Sequence, residues 1–191
     1  RGAAPVQWQI LSGATTLGSS VFSLVKELDA GDVFSTQLHP SLIDETSGEA
    51  LTRLSELGAT QILNVVDSIE NGWAVLTPQT GETSYARKLF LDDGHLDTSE
   101  TVTKVYNRFR GVTPEPGSYV LFDGERLKIH SARLAPKVIL SPGFITSRDK
   151  KLFMGCAGGS VELLTVQPAG KQSMNAMDWF RGLHREEVTV S

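Results

Sequence analysis

The chain has 191 residues, 40% hydrophobic and 21% charged, a balance that fits one globular domain or two small ones and excludes disordered and fibrous classes. No apolar run approaches the ~20 residues of a membrane-spanning helix, and a single cysteine, Cys156, excludes an intramolecular disulfide and makes a cytoplasmic location the expectation. The net charge of −4 hides a split: residues 1–82 hold three basic and ten acidic residues, residues 83–191 fifteen and twelve. That asymmetry predicts two modules with a boundary near residue 82, the second better suited to meet a polyanion.

The opening Arg1-Gly2-Ala3-Ala4-Pro5 has no initiator Met and no signal-peptide character. It reads as the middle of a loop, so a further N-terminal portion is expected ahead of it. Residues 19–25 and 33–38 read as strands, separated by the turn Leu28-Asp29-Ala30-Gly31-Asp32. Thr46-Ser47-Gly48-Glu49 is a capping box, and Leu51, Leu54, Leu57, Ile62, Val65, Val66 and Ile69 continue it as a helical stripe ending at Asn71-Gly72. Residues 73–97 read as an irregular crossover containing a linker at 77–82.

Residues 99–109 predict a helix that Gly111 ends and that Pro114 and Pro116 keep from resuming. The period then shortens. Residues 119–122, 127–134, 143–146, 152–156 and 161–166 read as short strands, with Asp123-Gly124 and Ala157-Gly158-Gly159 as hairpin turns. Such spacing predicts a small barrel or sandwich. Residues 175–183 form a closing helix with Asn175 as its cap.

The familiar phosphate-binding and zinc motifs are absent, and the four histidines are scattered. Cys156 falls in a strand and reads as an inert buried thiol. Asp29 and Asp32 flank Gly31. Turn chemistry accounts for them, as does a carboxylate placed at a strand end to orient a catalytic partner. Arg108 and Arg110 sit near a helix C-terminus, where they either complement its negative end or meet phosphates. Arg148, Lys150 and Lys151 mark a hairpin tip, and Pro168-Ala169-Gly170-Lys171 is a turn with an exposed lysine.

Taken together, several segments resemble methionyl-tRNA formyltransferase. They are Arg1-Gly2-Ala3-Ala4-Pro5-Val6-Gln7, Leu28-Asp29-Ala30-Gly31-Asp32, Glu45-Thr46-Ser47-Gly48 and Leu54-Ser55-Glu56-Leu57-Gly58. Ser84-Tyr85-Ala86-Arg87-Lys88-Leu89 follows, then Val166-Gln167-Pro168-Ala169-Gly170-Lys171 leading to Met174. The resemblance implies an α/β remnant of a Rossmann-like formyltransferase domain over residues 1–82. A small β-barrel similar to an oligonucleotide-binding fold, which helps hold tRNA, would occupy residues 83–191.

The implied reaction carries a formyl group from 10-formyltetrahydrofolate to the methionyl amino group of initiator tRNA in translation initiation. It needs an oxyanion donor and a group that manages protons. The family supplies an Asn, a His and an Asp. The Asp matches Asp29, implied to orient the imidazole and help order a water. The Asn and His belong to an N-x-H segment that precedes the Arg-Gly-Ala-Ala-Pro run, so this sequence holds neither. His39 does not inherit the role. The 191 residues alone are therefore expected not to transfer the formyl group.

Arg1, Lys88, Arg108, Arg110 and Lys171 are the expected tRNA contacts, the arginines of the helix on position and charge only. An oligomer that covers an exposed sheet edge is a further expectation. Two other readings remain: a formyltransferase acting on an amino sugar nucleotide, and a non-catalytic tRNA-binding module.

Overall fold

The computed structural model describes residues 1–191. Its first element is a short helix, α1 (Pro5–Leu11), which starts at the last residue of the run expected as a loop. Proline at the first helical position explains it: the fixed φ suits a helix start, and the missing N–H has no intrahelical partner to lose there. Strands β1 (Thr16–Phe22) and β2 (Val33–Pro40) follow and pair antiparallel, from Thr16↔Pro40 to Phe22↔Val33. No two of the named strands pair in parallel, so the β1–β2 pair does not by itself show the expected Rossmann-like setting.

Helix α2 (Ser47–Glu70) begins as its capping box dictates. Thr46 Oγ1 accepts the Glu49 N–H at 3.4 Å, and Glu49 Oε2 accepts the Thr46 N–H at 2.8 Å. The Thr46 backbone bond, aided by the Thr46 hydroxyl, holds the Glu49 carboxyl below its ordinary range. The buried face is Ser47, Ala50, Leu54, Gln61, Val65 and Ser68. Of the seven apolar residues in the expected stripe, only Leu54 and Val65 are buried, while Ile62, Val66 and Ile69 are about half exposed. Polar chemistry displaces them on the inner face. Gln61 is 2% exposed; it accepts from Ser19 at 2.8 Å and donates to Ser35 at 3.0 Å, bridging α2 to both strands beneath it.

After a 3₁₀ turn (Leu91–Gly94) comes α3 (Val102–Val112). The remaining elements are β3 (Ser118–Phe122), β4 (Glu125–Ala135), β5 (Phe144–Arg148), β6 (Lys151–Cys156), β7 (Gly159–Gln167), β8 (Met174–Asn175), α4 (Ala176–Gly182) and β9 (Glu187–Thr189). The five anticipated strands are present. The two- and three-residue strands β8 and β9 were not read, being too short to show a period. The sheet order is β3-β4-β7-β6-β5-β9, with β8 on β7, all antiparallel. It curls until its ends meet: Ser191, just past β9, donates to the Leu121 carbonyl at 3.0 Å and accepts the Leu121 N–H at 2.6 Å. Within the curl lies a core of 21 buried residues, including Leu96, Val105, Ile145, Met154, Leu163 and Trp179.

Two smaller cores hold the rest. Val6, Ile10, Leu17, Ala50 and Leu54 join α1 and α2 to β1. Ala4, Leu89 and Val112, with Trp8 and Leu11 against them, join α1 to α3 and to the crossover.

Gly111 does not end α3, as the sequence suggested; the helix runs one residue past it. The glycine serves packing instead. A Cβ there would lie 2.8 Å from Leu11 Cγ and 3.1 Å from the Gln7 carbonyl oxygen. Gly111→Ala is therefore expected to lower stability by about 1–2 kcal/mol, the overpacking exceeding the ~1 kcal/mol helix-propensity gain. In the middle of α2, a Cβ on Gly58 meets nothing within 4 Å. Gly58→Ala is expected to raise stability by about 0.5–1 kcal/mol. Urea unfolding of the two variants checks both signs.

Candidate functional site around Asp29

The loop between β1 and β2 carries Asp29, and its shape is forced by Gly31. A Cβ on Gly31 would stand 1.7 Å from the Ser23 carbonyl oxygen, so no other residue fits. Ser23 closes the loop by donating its N–H to Asp32 O at 2.9 Å. Asp29 itself adopts φ +51, a left-handed conformation that Asp tolerates better than most residues. From the crossover, Gln79 staples the loop: its amide donates to Asp29 O at 2.9 Å and Gly31 O at 2.8 Å. The same side chain accepts from the Arg1 guanidinium at 3.0 and 3.3 Å.

The Asp29 carboxylate accepts the Gly2 N–H at 3.0 Å. It lines a cleft of about 420 Å³ with Arg1, Ser20, Phe22, Val33 and Gln79. The crossover also pairs with the chain's opening residues: Ala86 donates to Arg1 O at 2.8 Å and Ala4 donates to Ala86 O at 3.2 Å. These bonds fix the direction in which the opening residues run past the carboxylate.

Further along the crossover, Trp8 Nε1 donates to Arg87 O at 2.8 Å, and the Arg87 guanidinium lies 5.1 Å from the Trp8 ring centroid. Arg87 grips both oxygens of Asp93, at 2.8 and 2.6 Å. That grip, with the Phe90 N–H, holds the Asp93 carboxyl below the usual range against the opposing effect of burial. The pair lies beside a second cleft of about 590 Å³, which Trp8, Arg87, Asp93, Lys104 and Arg108 help line.

The five expected RNA contacts are placed unequally. Arg1 stands at the Asp29 cleft, half-buried and engaged with Gln79. Lys88 is exposed on the crossover. Arg108 is half-buried in the second cleft, donating to Asp93 O at 3.0 Å. Lys171 is exposed beside a small groove formed with Phe122 and Trp179. Arg110 is a correction: it is 7% exposed, and both its terminal nitrogens are spent on neighbouring protein atoms. Its charge is not presented to a phosphate.

Arg87 and Gln79 were not named as site residues. Arg87 stands in a quoted family-like segment, which was the available signal; nothing in the sequence marks Gln79. Cys156 is buried, and burial pushes its thiol up to about 12, so it stays protonated at neutral pH. His39 is on β2 with its Nε2 3.1 Å from Ser19 Oγ.

Residues 88–184, which carry α3 and the curled antiparallel sheet as far as α4, match the family model described as "Formyl transferase, C-terminal domain". The chain belongs to that family. It is 47% identical over 188 residues to a protein of Leifsonia xyli subsp. xyli named methionyl-tRNA formyltransferase, covering 98% of this chain and 62% of that protein. It thus spans less than two thirds of that relative's length.

Among solved structures, HypX from Aquifex aeolicus in complex with tetrahydrofolic acid superposes with a TM-score of 0.76 at 19% identity, over 94% of this chain and 32% of that one. The N-formyltransferase from Helicobacter canadensis, in complex with folinic acid and dTDP-3-aminofucose, superposes with a TM-score of 0.71 at 15% identity, over 88% and 61%. These two likenesses establish shared fold.

The Asp93 carboxyl is depressed in the folded state. Its contribution to stability is therefore fully present above the unfolded carboxylate value of about 3.9, and is lost as pH falls below it. Asp93→Asn is expected to narrow the difference between urea midpoints measured at about pH 3 and about pH 7. An unchanged difference would remove the Arg87–Asp93 pair from the acid response.

Proposed function

We propose that this chain contributes to formyl transfer from 10-formyltetrahydrofolate to the methionyl amino group of initiator tRNA. The observation that carries the reading is the Asp29 carboxylate, held in a cleft by the Gly2 N–H immediately behind Arg1. In the family pattern an Asn and a His stand shortly before the Arg1-Gly2-Ala3-Ala4-Pro5 run. A chain entering at Arg1 brings such residues toward Asp29. Asp29 then orients the imidazole and helps order a water, so that the amine passes its proton to that network as it attacks the formyl carbon, and the formyl–N10 bond breaks with the proton returned to departing tetrahydrofolate.

The folate supplies the activated formyl group. The cleft suits part of such a donor, since its lining combines the apolar Phe22 and Val33 with the polar Arg1 and Gln79. The complexes of Aquifex HypX with tetrahydrofolic acid and of the Helicobacter enzyme with folinic acid support a folate donor.

Residues 1–82 are read as the closing part of a Rossmann-like layer. The half-exposed Ile62, Val66 and Ile69 on α2, with Trp73 64% exposed just beyond, give it a face for further structure to cover. Residues 83–191 are read as the RNA-holding barrel. Lys88, Arg108 and Lys171 are its phosphate contacts, Arg87 joins them, and Arg1 adds a contact from the Asp29 cleft. An oligomer through the open edge of the β1–β2 pair belongs to the same reading; light scattering showing only monomer would remove it.

The 191 residues hold no N-x-H segment, and a formylation assay of them alone with charged initiator tRNA is expected to give no turnover. Turnover near that of an intact homologue refutes this. In filter binding, Lys88→Ala and Lys171→Ala are each expected to reduce the slope of log affinity against log salt by about 1. Tight tRNA binding without chemistry favours the non-catalytic module. Failure to bind tRNA favours a sugar-nucleotide acceptor, a reading to which the dTDP-3-aminofucose in the Helicobacter complex lends weight.

A further inference from the structure

Arg110 is the most deeply buried cation of the chain, and it lies where the Asp29-bearing layer meets the curled sheet. Its Nη1 donates to Leu42 O at 3.0 Å and Glu45 O at 3.3 Å; its Nη2 donates to Asn107 Oδ1 at 2.7 Å. The guanidinium lies 5.6 Å from the Tyr106 ring centroid, and the Tyr106 hydroxyl donates to Asp44 Oδ1 at 2.8 Å. Tyr106 and Arg110, one turn apart on α3, therefore converge on residues 41–46, the segment that joins β2 to α2. Arg53 anchors that segment from the other side, donating to both Glu45 oxygens at 2.7 Å and to Pro40 O at 3.1 Å. Ser47 and Gly48 complete the seam by donating to Thr113 O at 2.8 and 3.1 Å.

This seam is polar where stability alone would favour apolar packing. The Arg110 Nε is buried without a partner, and no carboxylate bonds its guanidinium directly. A buried charge solvated by carbonyl oxygens is costly relative to an apolar side chain. What it supplies is direction: a rigid planar fork satisfies its acceptors in one orientation only. The clamped segment continues into β2, whose far end carries the Asp29 loop. Rotation at residues 41–46 is therefore transmitted along the hairpin to Asp29.

We propose that Arg110 is a positioning residue that fixes the orientation of the Asp29-bearing hairpin relative to the curled sheet by clamping residues 41–46. Its connection to formyl transfer rests on the reading given above; the orientation itself does not. The test places spin labels at Glu56→Cys on α2 and Arg148→Cys on β5, both exposed, with the buried Cys156 left unlabelled. Pulsed electron resonance then measures the distance distribution between them.

Arg110→Met is expected to broaden the distribution or add a second peak. Arg110→Lys should fall between, since an ammonium cannot serve the same acceptors in the same plane. Lys104→Met, on the exposed side of α3, should leave it unchanged. A melting temperature lowered by Arg110→Met with an unaltered distance distribution would reduce the residue to a structural role and overturn the proposal. If Arg110→Met does not fold, Arg110→Lys and Asn107→Ala, which each remove part of the fork, decide it the same way. Loss of tRNA binding or formyl transfer does not enter the readout, so failure of the functional reading stays separate.

Discussion

The short crossover after α2 ties the molecule together. Residues 84–86 pair with the opening residues through backbone bonds, while Gln79 closes its amide over the loop that holds Asp29. Backbone and amide groups buried or half-buried must find partners, and here the partners lie about fifty to eighty residues away in sequence. Arg1, Gly2, Asp29 and Gln79 are mutually dependent: each supplies or accepts a bond that holds the next. The carboxylate's position is a property of this closed circuit more than of its own loop.

A second contact region, around Arg110, lies at the other end of the β1–β2 hairpin. The two differ in character. Near Asp29 the bonds are mostly backbone to backbone or backbone to side chain, with Arg1 near solvent. Around Arg110 a desolvated cation is held by carbonyl oxygens and an aromatic face. Between them, the β1–β2 pair is a lever with both ends held, which keeps the Asp29 carboxylate at a set distance from the curled sheet.

Much of the architecture was legible in the sequence wherever local chemistry agreed with the final packing. The capping box at Thr46 starts α2 where it should, and the Asp123-Gly124 turn joins β3 to β4. The misses share a cause. Gly111 looks like a helix stop, yet the absence of its side chain answers to Leu11 and Gln7, residues about a hundred positions away. Arg110 looks like a free helix-end cation, but the carbonyls that bury it come from residues 42 and 45. The apolar stripe of α2 predicts a helix correctly and its buried face poorly, because Ser19 and Ser35 below it call for Gln61. Asp29 is singled out only by family resemblance; its turn composition alone allows a bland reading, and Gln79 carries no signal at all.

The sheet's closure through Ser191 has a consequence of a different kind. That one residue makes both backbone bonds to Leu121 on β3, the first strand of the sheet order. Without it, the N–H and C=O of Leu121 would stand open on an edge strand, and such an edge is a template on which another molecule's strand can add. The residue that completes the curl is thereby also a guard against aggregation.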